Sequence, residues 1–455
     1  MKTRSVFVVA LFCVFTIGCN GENRSFEKVI PTPSSMPALT LTSNFTPTPL
    51  LTTPQGSAFS PSPISSMTMP QWVTDPKVQI LFVPTGTFKE GYKNLTLVNA
   101  MTSERFDLQL SADSGDYFWL PDGLHAGMLS RDMPQITLVS MIDGQITSIS
   151  VPESITRFAA QNLSGPPYPL QASSLHPKDP NFMLLPSWMQ LSPDRKYFIY
   201  QENYDPKYTS VFEISTNQTI VMTDPNDKYF DLFSEWSPDS RYLAVSQADQ
   251  EPGMLYHFDS PPTFRLRVYD MNTHQMVASY KDVTFPSWSP DGLKFLFQEW
   301  RDWFGESPPC LFDTISGTTK CYYDELIRHK KSNTSQTTFS SIQWSPDQTM
   351  IGYIYSNVDQ APYAEYGGFC VITLASNNSR CMLEKFELDG QKIIDYSWSP
   401  DSNFISFQYD TSCPYCDYSD SPQLAIADVK TGKYFPIGDN VNGFQLGLWR
   451  PPLKP

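Results

Sequence analysis

Trp236-Ser237-Pro238-Asp239, followed by the apolar run Tyr242-Leu243-Ala244-Val245, is the stretch that decides the fold. Proline at the second position of a tight turn fixes φ, and the aspartate can accept the backbone N–H two residues on, so the stretch reverses the chain between two strands. The pattern recurs at residues 191–194, 288–291, 344–347 and 398–401. A unit that returns roughly every 50 residues predicts radial repetition, in which each unit is a blade of four antiparallel strands.

A second signal predicts the number of repeats. Hairpin connections of five residues, each ending at a residue that tolerates a left-handed backbone, lie at residues 99–103, 140–144, 213–217, 270–274, 313–317, 373–377 and 428–432. Degenerate turns at Trp119-Leu120-Pro121-Asp122 and Trp449-Arg450-Pro451 extend the repeat. The sequence therefore predicts an all-β, seven-bladed β-propeller. We expect the strand at Gly447 to Trp449 to pair with Lys77 to Val83 and to close the ring.

These residues resemble a known repeat. The Trp-Ser-Pro-Asp turn followed by an apolar strand, as in Lys294-Phe295-Leu296-Phe297, is similar to the TolB-like propeller repeat, and the resemblance covers most of residues 76 to 455. It implies a fold rather than an activity, because similar repeats occur in periplasmic scaffold proteins, in the non-catalytic propellers of peptidases and in oligogalacturonate lyases. No catalytic residue is carried over from it.

Composition limits the partners. The chain has 455 residues, 40% hydrophobic content and a formal net charge of −15. An acidic surface disfavours nucleic acid, and the sequence has no basic patch with interleaved aromatic residues. The acidity equally suits an extracellular protein that has only to stay soluble.

The N-terminus predicts export. Lys2 and Arg4 precede an apolar run from Val6 to Ile17 that is too short to span a bilayer but suits a signal peptide. The run ends at Cys19, as in a bacterial lipobox, so we expect a lipoprotein signal peptide over residues 1–18 and lipidation of Cys19; an ordinary secretory leader is the alternative. Residues 19–75, rich in Pro, Ser and Thr, predict a disordered linker, and residues 76–455 the propeller.

Cysteine spacing predicts three disulfides. Cys310 and Cys370 each lie three residues before a predicted hairpin, and Cys321 and Cys381 follow eleven residues later. Opposed strand positions bring Cβ atoms close to the distance that a disulfide needs. Cys413 and Cys416 are expected to form a third, structural disulfide in a loop; a redox pair or half of a zinc site is the alternative.

Long connections on one face carry the candidate binding residues. The connections at Gln247 to Thr263, Gln298 to Pro309, Ser356 to Phe369, Tyr409 to Pro422 and Pro152 to Ser187 are expected on the face opposite the short hairpins. Their aromatic and histidine side chains suit stacking on sugars or peptides, and the candidates are Tyr256, His257, Trp300, Trp303, Tyr363, Tyr366 and Tyr418. Alternatively, these rings pack the loops against one another.

Two function classes stay open. No catalytic motif is present, so no catalytic residue, metal or cofactor is assigned; a metal site of His176, His257 and His329 is conceivable, but its spacing is not diagnostic. The preferred expectation is a monomeric, non-enzymatic envelope lipoprotein that binds a protein, peptide or glycan outside the cytoplasm and contacts the membrane through its lipid. The alternative is a carbohydrate-active lyase or hydrolase with its site in the central funnel.

Overall fold

The structure of the chain is a computed structural model. It describes residues 63–87, 91–108, 110, 115–131, 135–150, 169–175, 179, 182–186, 189–200, 209–223, 227–249, 263–299, 309–313, 316, 318–322, 336–358, 365–383, 392–410, 423–437 and 446–453. No helix among these residues is long and apolar enough to cross a membrane.

The described chain is built almost entirely of strands. A single 3-10 turn lies at Gln71–Thr74. The strands in chain order are β1 Pro63–Ser66, β2 Ile80–Thr87, β3 Gly91–Asn99, β4 Arg105–Leu108, β5 Gly115–Trp119, β6 His125–Ser130, β7 Gln135–Ser140, β8 Gln145–Ser150, β9 Pro169–Ala172, β10 Leu184–Pro186, β11 Gln190–Leu191, β12 Tyr197–Tyr200, β13 Ser210–Glu213, β14 Gln218–Val221, β15 Phe230–Trp236, β16 Tyr242–Ala248, β17 Phe264–Asp270, β18 Gln275–Lys281, β19 Val283–Trp288, β20 Lys294–Glu299, β21 Pro309–Asp313, β22 Thr319–Cys321, β23 Gln336–Trp344, β24 Met350–Val358, β25 Glu365–Thr373, β26 Asn378–Met382, β27 Lys392–Trp398, β28 Phe404–Asp410, β29 Gln423–Asp428, β30 Tyr434–Pro436 and β31 Leu448–Trp449.

The strands form seven sheets, six of which have four strands each. Five of the six run in simple chain order, β11 to β14, β15 to β18, β19 to β22, β23 to β26 and β27 to β30. The prediction of a β-propeller of antiparallel four-stranded sheets is confirmed at this level. A closed ring of seven blades stays a prediction.

One sheet is larger than predicted. It has seven strands in the order β1-β8-β7-β6-β5-β9-β10. Strand β1 extends its outer edge through Pro63 opposite Thr147, although the sequence places β1 within the linker over residues 19–75. At the other edge, β9 pairs in parallel with β5 and β10 pairs with β9, so part of the connection expected from Pro152 to Ser187 is strand.

The two chain ends meet in the sixth four-stranded sheet, β31-β2-β3-β4. Leu81 pairs with Trp449 and Phe82 with Leu448. Gly447 has a φ of +74°, and a Cβ there would lie 2.5 Å from a methyl carbon of Val83, so the left-handed backbone and the close approach of β2 both require glycine. The strand partners predicted for the chain ends are thus the ones observed.

The Ser-Pro-Asp turns repeat one hydrogen-bond pattern. Each serine hydroxyl donates to the aspartate Oδ1 over 2.6–2.7 Å, at Ser192, Ser237, Ser289, Ser345 and Ser399. Each aspartate Oδ1 accepts the backbone N–H two residues on, as predicted. The serine also accepts the N–H five residues on, which begins the next strand. These local bonds explain why this tetrapeptide is enough to reverse the chain.

The five-residue hairpins also follow the prediction. Their last residues have a φ between +52° and +73° at Ser103, Gly144, Asn217, His274, Asn377 and Gly432. Gly317, at the end of the remaining hairpin, lies outside the described residues. The turns and these hairpins share one face of the propeller, because strands alternate in direction, and we call it the hairpin face. The strand ends that the longer connections join lie on the opposite face.

The repeat tryptophans join neighbouring sheets. Each of the strands β5, β11, β15, β19, β23, β27 and β31 ends at the first residue of a repeat turn, and we call these seven the inner strands. The indole Nε1 donates to a carbonyl of the neighbouring inner strand, from Trp236 to Gln190 over 3.2 Å, Trp344 to Ser287 over 3.0 Å, Trp449 to Ser397 over 3.2 Å and Trp119 to Leu448 over 3.1 Å. The repeat tryptophans therefore have structural positions between sheets.

Candidate functional site

Four inner strands share an irregularity. The register shifts between Asp231 and Phe233, Thr284 and Ser287, Ser340 and Gln343, and Ile393 and Asp395. A β-bulge changes the direction of the side chains around it, and such bulges are over-represented next to active sites. The described inner strands also carry four carboxyl groups, at Asp116, Asp231, Glu235 and Asp395.

Glu235 differs from the other three. The Asp116 carboxylate is ion-paired with Arg131, and Asp231 accepts a 2.7 Å bond from the Thr223 hydroxyl. Asp395 accepts the N–H of Tyr396 over 2.9 Å. Within the described part of the chain, the Glu235 carboxyl has no hydrogen-bond or ionic partner, although its side chain is half-buried.

The environment of Glu235 explains its protonation. Glu235 pairs with Ala244, and directly opposed side chains lie on one face of a sheet. Ala244 packs in a core cluster with Trp288 and Phe295 of the next sheet. Burial beside this apolar cluster raises the pKa of Glu235 to about 8, because the charged carboxylate loses its hydration without a compensating partner. The carboxyl is therefore protonated at neutral pH.

The neighbouring indole shows a related irregularity. Other repeat tryptophans donate to the carbonyl of the residue just before the neighbouring repeat turn. By this pattern, the indole Nε1 of Trp288 would donate to the backbone carbonyl of Glu235. Its buried Nε1 instead has no hydrogen-bond partner among the described residues. A carboxyl of raised pKa and an unpaired buried donor thus occur at one junction between sheets.

Asp395 is the second inner-strand carboxyl with a raised pKa and access to solvent. Burial raises its pKa, while the Tyr396 N–H and the Ser341 side chain oppose that effect. Ser341 lies at the bulge of the adjacent inner strand and has a φ of +49°. The Ser341 backbone, in a conformation that non-glycine residues seldom adopt, therefore presents this partner to Asp395.

An arginine cluster lies at the end of the β15–β18 sheet that is opposite to the Trp236 turn. Arg265 and Arg267 both donate to Oδ2 of Asp227, the latter over 2.9 Å. The Arg265 Nε donates to Gln247 over 2.7 Å, and its guanidinium lies 3.5 Å from the ring centre of Tyr229. Burial would raise the pKa of Asp227, but the hydrogen bond from Arg265 and the two positive charges lower it below its ordinary value.

The buried partner of this cluster is Asp231. Its carboxylate accepts from Thr223 and from the amide of Gln247, which links it to Arg265. Burial raises the pKa of Asp231 despite these bonds. The cluster pairs both arginines with Asp227 but leaves the buried Nε of Arg267 without a hydrogen-bond partner among the described residues.

Most of the predicted binding residues lie outside the described residues: Tyr256, His257, Trp300, Trp303, Tyr363 and Tyr418, as well as His176 and His329. Tyr366 lies within β25, where its backbone pairs with Asn357. The connection expected from Ser356 to Phe369 is therefore wrong in its bounds, because β24 and β25 continue to Val358 and from Glu365. The proposed surface of aromatic loops stays a prediction.

The disulfide prediction is confirmed for two pairs. Cys310 is bonded to Cys321 and Cys370 to Cys381, each with a Cα–Cα distance of 4.0 Å. In both pairs the cysteines are directly opposed across the two outer strands of a sheet. Cys413, Cys416 and the lipidation candidate Cys19 lie outside the described residues.

Sequence reasoning missed Glu235, although a signal was present. The residue before the repeat tryptophan is Ser287, Gln343 or Ser397 in the following repeats, and only the repeat at Trp236 has an acid there. An ionisable residue within an otherwise uncharged repeat position is a functional candidate. Asp395 carries no comparable signal, because its burial depends on packing between sheets.

No metal centre is seen in the part of the chain that the structure describes. Groups of three or more His, Cys, Asp or Glu side chains placed to hold an ion do not occur there. We therefore derive no chemical step through a metal.

Solved structures include chains similar to this one, whereas family models and curated proteins do not. No protein-family model matches the chain, and no curated protein matches it. An oligogalacturonate lyase solved with manganese is similar at 13% identity over 81% of this chain and 87% of that one, with a TM-score of 0.46. An oligogalacturonate lyase from Vibrio parahaemolyticus is similar at 13% identity over 77% of this chain and 85% of that one, with a TM-score of 0.45. The tricorn protease is similar at 10% identity over 77% of this chain and 38% of that one, with a TM-score of 0.42.

These comparisons correct the expected function. The sequence analysis prefers a non-enzymatic binding protein, whereas the structures that lead the comparison are lyases, which are enzymes. The non-enzymatic expectation is wrong on this finding. Similarity at this level assigns no activity to the chain, and the narrower likeness to TolB-like repeats stays a prediction.

Proposed function

We propose that the chain is a carbohydrate-active enzyme, a lyase or hydrolase, that uses the Glu235 carboxyl on its inner strands. The observation that supports this proposal is the setting of Glu235, a half-buried carboxyl without a partner in the described chain and with a pKa raised to about 8. Catalytic acids and bases need pKa values near the working pH, so enzymes place them in apolar surroundings of this kind.

The two reaction types use Glu235 differently. In a hydrolase, the protonated Glu235 donates its proton to the glycosidic oxygen as the C–O bond breaks, and a second carboxylate takes a proton from the water that adds to the sugar. Asp395 is our candidate for that second group. In a lyase, the ionised Glu235 takes a proton from a sugar ring carbon; the electron pair of that C–H bond forms a ring C=C bond, the C–O bond to the leaving sugar breaks, and the leaving oxygen takes a proton from water.

The proposal includes the architecture expected from the sequence. The seven sheets are blades of one ring, which β31 closes by pairing with β2. The tryptophan hydrogen bonds between inner strands support this arrangement, as does the cluster in which Leu185 and Phe198 join the seven-stranded sheet to the β11–β14 sheet. The protein is a TolB-like, monomeric lipoprotein, exported and anchored through Cys19, with its propeller outside the cytoplasm.

Turnover of a carbohydrate panel tests the proposed activity. The full chain is incubated with neutral and uronate oligosaccharides; new reducing ends report cleavage of either type, and ultraviolet absorbance of unsaturated sugars reports a lyase. We expect Glu235→Gln to lower kcat roughly 100- to 10,000-fold, the usual contribution of a general acid or base. Glu104→Gln, which changes an exposed carboxyl in a hairpin, is the matched control and should retain full activity.

The pH profile separates the two mechanisms. An acid role predicts that kcat/KM falls as pH rises through about 8, whereas a base role predicts that it rises toward that value. Undiminished turnover by Glu235→Gln would contradict the assignment of this residue. Absence of cleavage across the panel would contradict the activity itself.

A further inference from the structure

Two cross-strand pairs of an aspartate with a glutamine lie beside bulges of the inner strands. Asp231 is directly opposed to Gln247 in the β15–β18 sheet, and Asp395 is directly opposed to Gln408 in the β27–β30 sheet. Directly opposed side chains lie on one face of a sheet, with their Cβ atoms about 5 Å apart. The amide is therefore near the carboxyl in both pairs, and the two pairs can be compared.

The pair of Asp231 and Gln247 is closed by hydrogen bonds. The Gln247 amide donates directly to Asp231, and its side-chain oxygen accepts from Arg265 over 2.7 Å. The Thr223 hydroxyl donates to Asp231 over 2.7 Å. Both polar atoms of the Gln247 side chain thus have partners within the protein, and the pair has a structural position.

The pair of Asp395 and Gln408 is open. The Gln408 side chain is buried, yet its amide Nε2 has no hydrogen-bond partner in the described chain, not even the opposed carboxyl. Ser406, two residues earlier and on the same face of β28, also has a buried hydroxyl without a partner there. Asp395 keeps partial access to solvent. A buried donor without a partner costs free energy, so this pair favours an occupant that offers an oxygen.

The open pair faces the sheet that joins the chain ends. Leu424, directly opposed to Gln408 in β29, packs in a core cluster with Leu81 and Val83 of β2. On the inner strand of that sheet, Gly447 lies two residues before the repeat tryptophan, where the four Trp-Ser-Pro-Asp repeats have larger residues, namely Ser234, Pro286, Ile342 and Tyr396. Glycine places no side chain in this junction at that position.

We propose that Asp395 and Gln408 together hold the water that attacks the sugar, which makes the reaction a hydrolysis. This inference rests on the proposed carbohydrate activity and chooses between its two reaction types. Gln408 Nε2 donates to the water oxygen, and the ionised Asp395 takes a water proton as that oxygen bonds to the anomeric carbon. The C–O bond to the leaving sugar breaks, and the leaving oxygen takes the proton of Glu235. Elimination forms no bond between carbon and water, so it would not use this pair.

Two matched variants test whether the pair is open. Gln408→Leu and Gln247→Leu each replace a buried glutamine, opposed to an aspartate, by an apolar residue. Gln247→Leu removes the bonds to Asp231 and Arg265, so we expect a clearly lower melting temperature. Gln408→Leu removes no bond of the Nε2 donor within the protein, so we expect a melting temperature equal to that of the wild type or higher. This measurement does not depend on turnover. A loss for Gln408→Leu as large as that for Gln247→Leu would overturn the inference, because the amide would then have a partner in the protein.

Kinetics on the carbohydrate panel test the water itself. Gln408→Leu should lower kcat roughly 10- to 100-fold at unchanged KM, because one hydrogen bond to the attacking oxygen is lost. Asp395→Gly should lose hydrolysis, and sodium azide should restore cleavage, because azide attacks the anomeric carbon without giving up a proton while Glu235 still protonates the leaving oxygen. Mass spectrometry should then detect a glycosyl azide.

Other outcomes would overturn the assignment in distinguishable ways. A raised KM at unchanged kcat in Gln408→Leu would mean that the pair binds a hydroxyl of the substrate instead of the attacking water. Unsaturated products would show a lyase, which does not use this water. Absence of cleavage by the wild type would contradict the proposed activity and with it the role of the water, whereas the melting temperatures would still show whether the pair is open.

Discussion

Glu235 shows how one residue depends on its surroundings. Its apolar neighbours across the sheet and in the next sheet raise its pKa from the ordinary 4.5 to about 8. Burial acts on Asp227 in the same direction, but the hydrogen bond from Arg265 and the charges of two arginines lower its pKa. The difference between the raised and the lowered pKa in this sheet is therefore the presence of a compensating charge.

The raised pKa predicts a dependence of stability on pH. Between pH 4.5 and about 8 the folded protein holds a proton that the unfolded chain has lost, so stability falls as pH rises through this window. Glu235→Gln stays neutral throughout. We expect its melting temperature, relative to the wild type, to increase from the lower to the upper end of the window. Glu104→Gln provides the comparison, and a constant difference for Glu235→Gln would show that the carboxyl keeps an ordinary pKa.

The Ser-Pro-Asp turn carries the second prediction. Ser289 is almost completely buried, donates to Asp291 over 2.6 Å and accepts the Lys294 N–H over 2.9 Å. Ser289→Ala removes the acceptor of the Lys294 N–H and one of the donors to Asp291, which keeps the Leu293 N–H, so we expect a loss of about 1–3 kcal/mol in the free energy of unfolding. Ser316→Ala, at an exposed hairpin position, should change it by less than about 0.5 kcal/mol. Chemical denaturation measures both, and equal effects would show that the turn does not depend on its hydroxyl.

At the level of elements, the outer strands of two neighbouring sheets carry equivalent disulfides. Cys310–Cys321 and Cys370–Cys381 each close a loop with a sequence separation of 11. Such a loop restricts the unfolded chain only modestly. The strand pairing would place these residues opposite each other without the bonds.

Removing one disulfide should therefore weaken the protein without unfolding it. For Cys310→Ala with Cys321→Ala we expect a loss of at most about 3 kcal/mol from the chain-entropy effect. The equivalent double variant at Cys370 and Cys381 should behave alike, because its geometry is the same. Thermal unfolding of both variants is the measurement. Failure of either variant to fold would mean that the disulfide determines the strand pairing.

For the whole molecule, the C-terminal segment joins the two ends of the chain. Trp449 pairs with Leu81, and the Arg450 guanidinium donates to the backbone carbonyls of Val73, Asp75 and Val78 over 2.6, 2.8 and 2.6 Å. These bonds satisfy carbonyls of the N-terminal segment that no strand pairs. A single side chain near the C-terminus thus fixes the entry of the chain into its first sheet.

Deleting residues 444–455 should destabilise the entire domain. The deletion exposes the edge of β2 and leaves the three carbonyls without their donor. We expect a lower melting temperature and a broader transition, measured by calorimetry. Deletion of residues 454–455 alone, beyond β31, should have no effect. If the longer deletion melts like the full chain, the stability of the domain does not depend on pairing between β31 and β2.

The turns and hairpins could be predicted from the sequence because their causes are local. Proline fixes a dihedral angle, Asp291 and its equivalents bond within a few residues, and Gly144 or Asn217 adopts a left-handed backbone on its own. The cysteine pairs are nearly as local, since the hairpin register places Cys310 opposite Cys321. These features determined the fold class and the strand pairs of the chain ends.

Only the tertiary structure decided the make-up of the seven-stranded sheet and the environment of Glu235. The seven-stranded sheet depends on pairing of β1 and β9 with strands distant in sequence, which no local pattern encodes. The position of residues 67–79 between two hairpins likewise depends on the backbone bonds from Met67 to Gly144 and from Ala100 to Gln79. Glu235 is an ordinary acid in the sequence, and its raised pKa exists because Ala244, Trp288 and Phe295 from separate strands exclude water and provide no charge. The protonation of Glu235 is set by the apolar surroundings of its carboxyl, which form only when the sheets pack together.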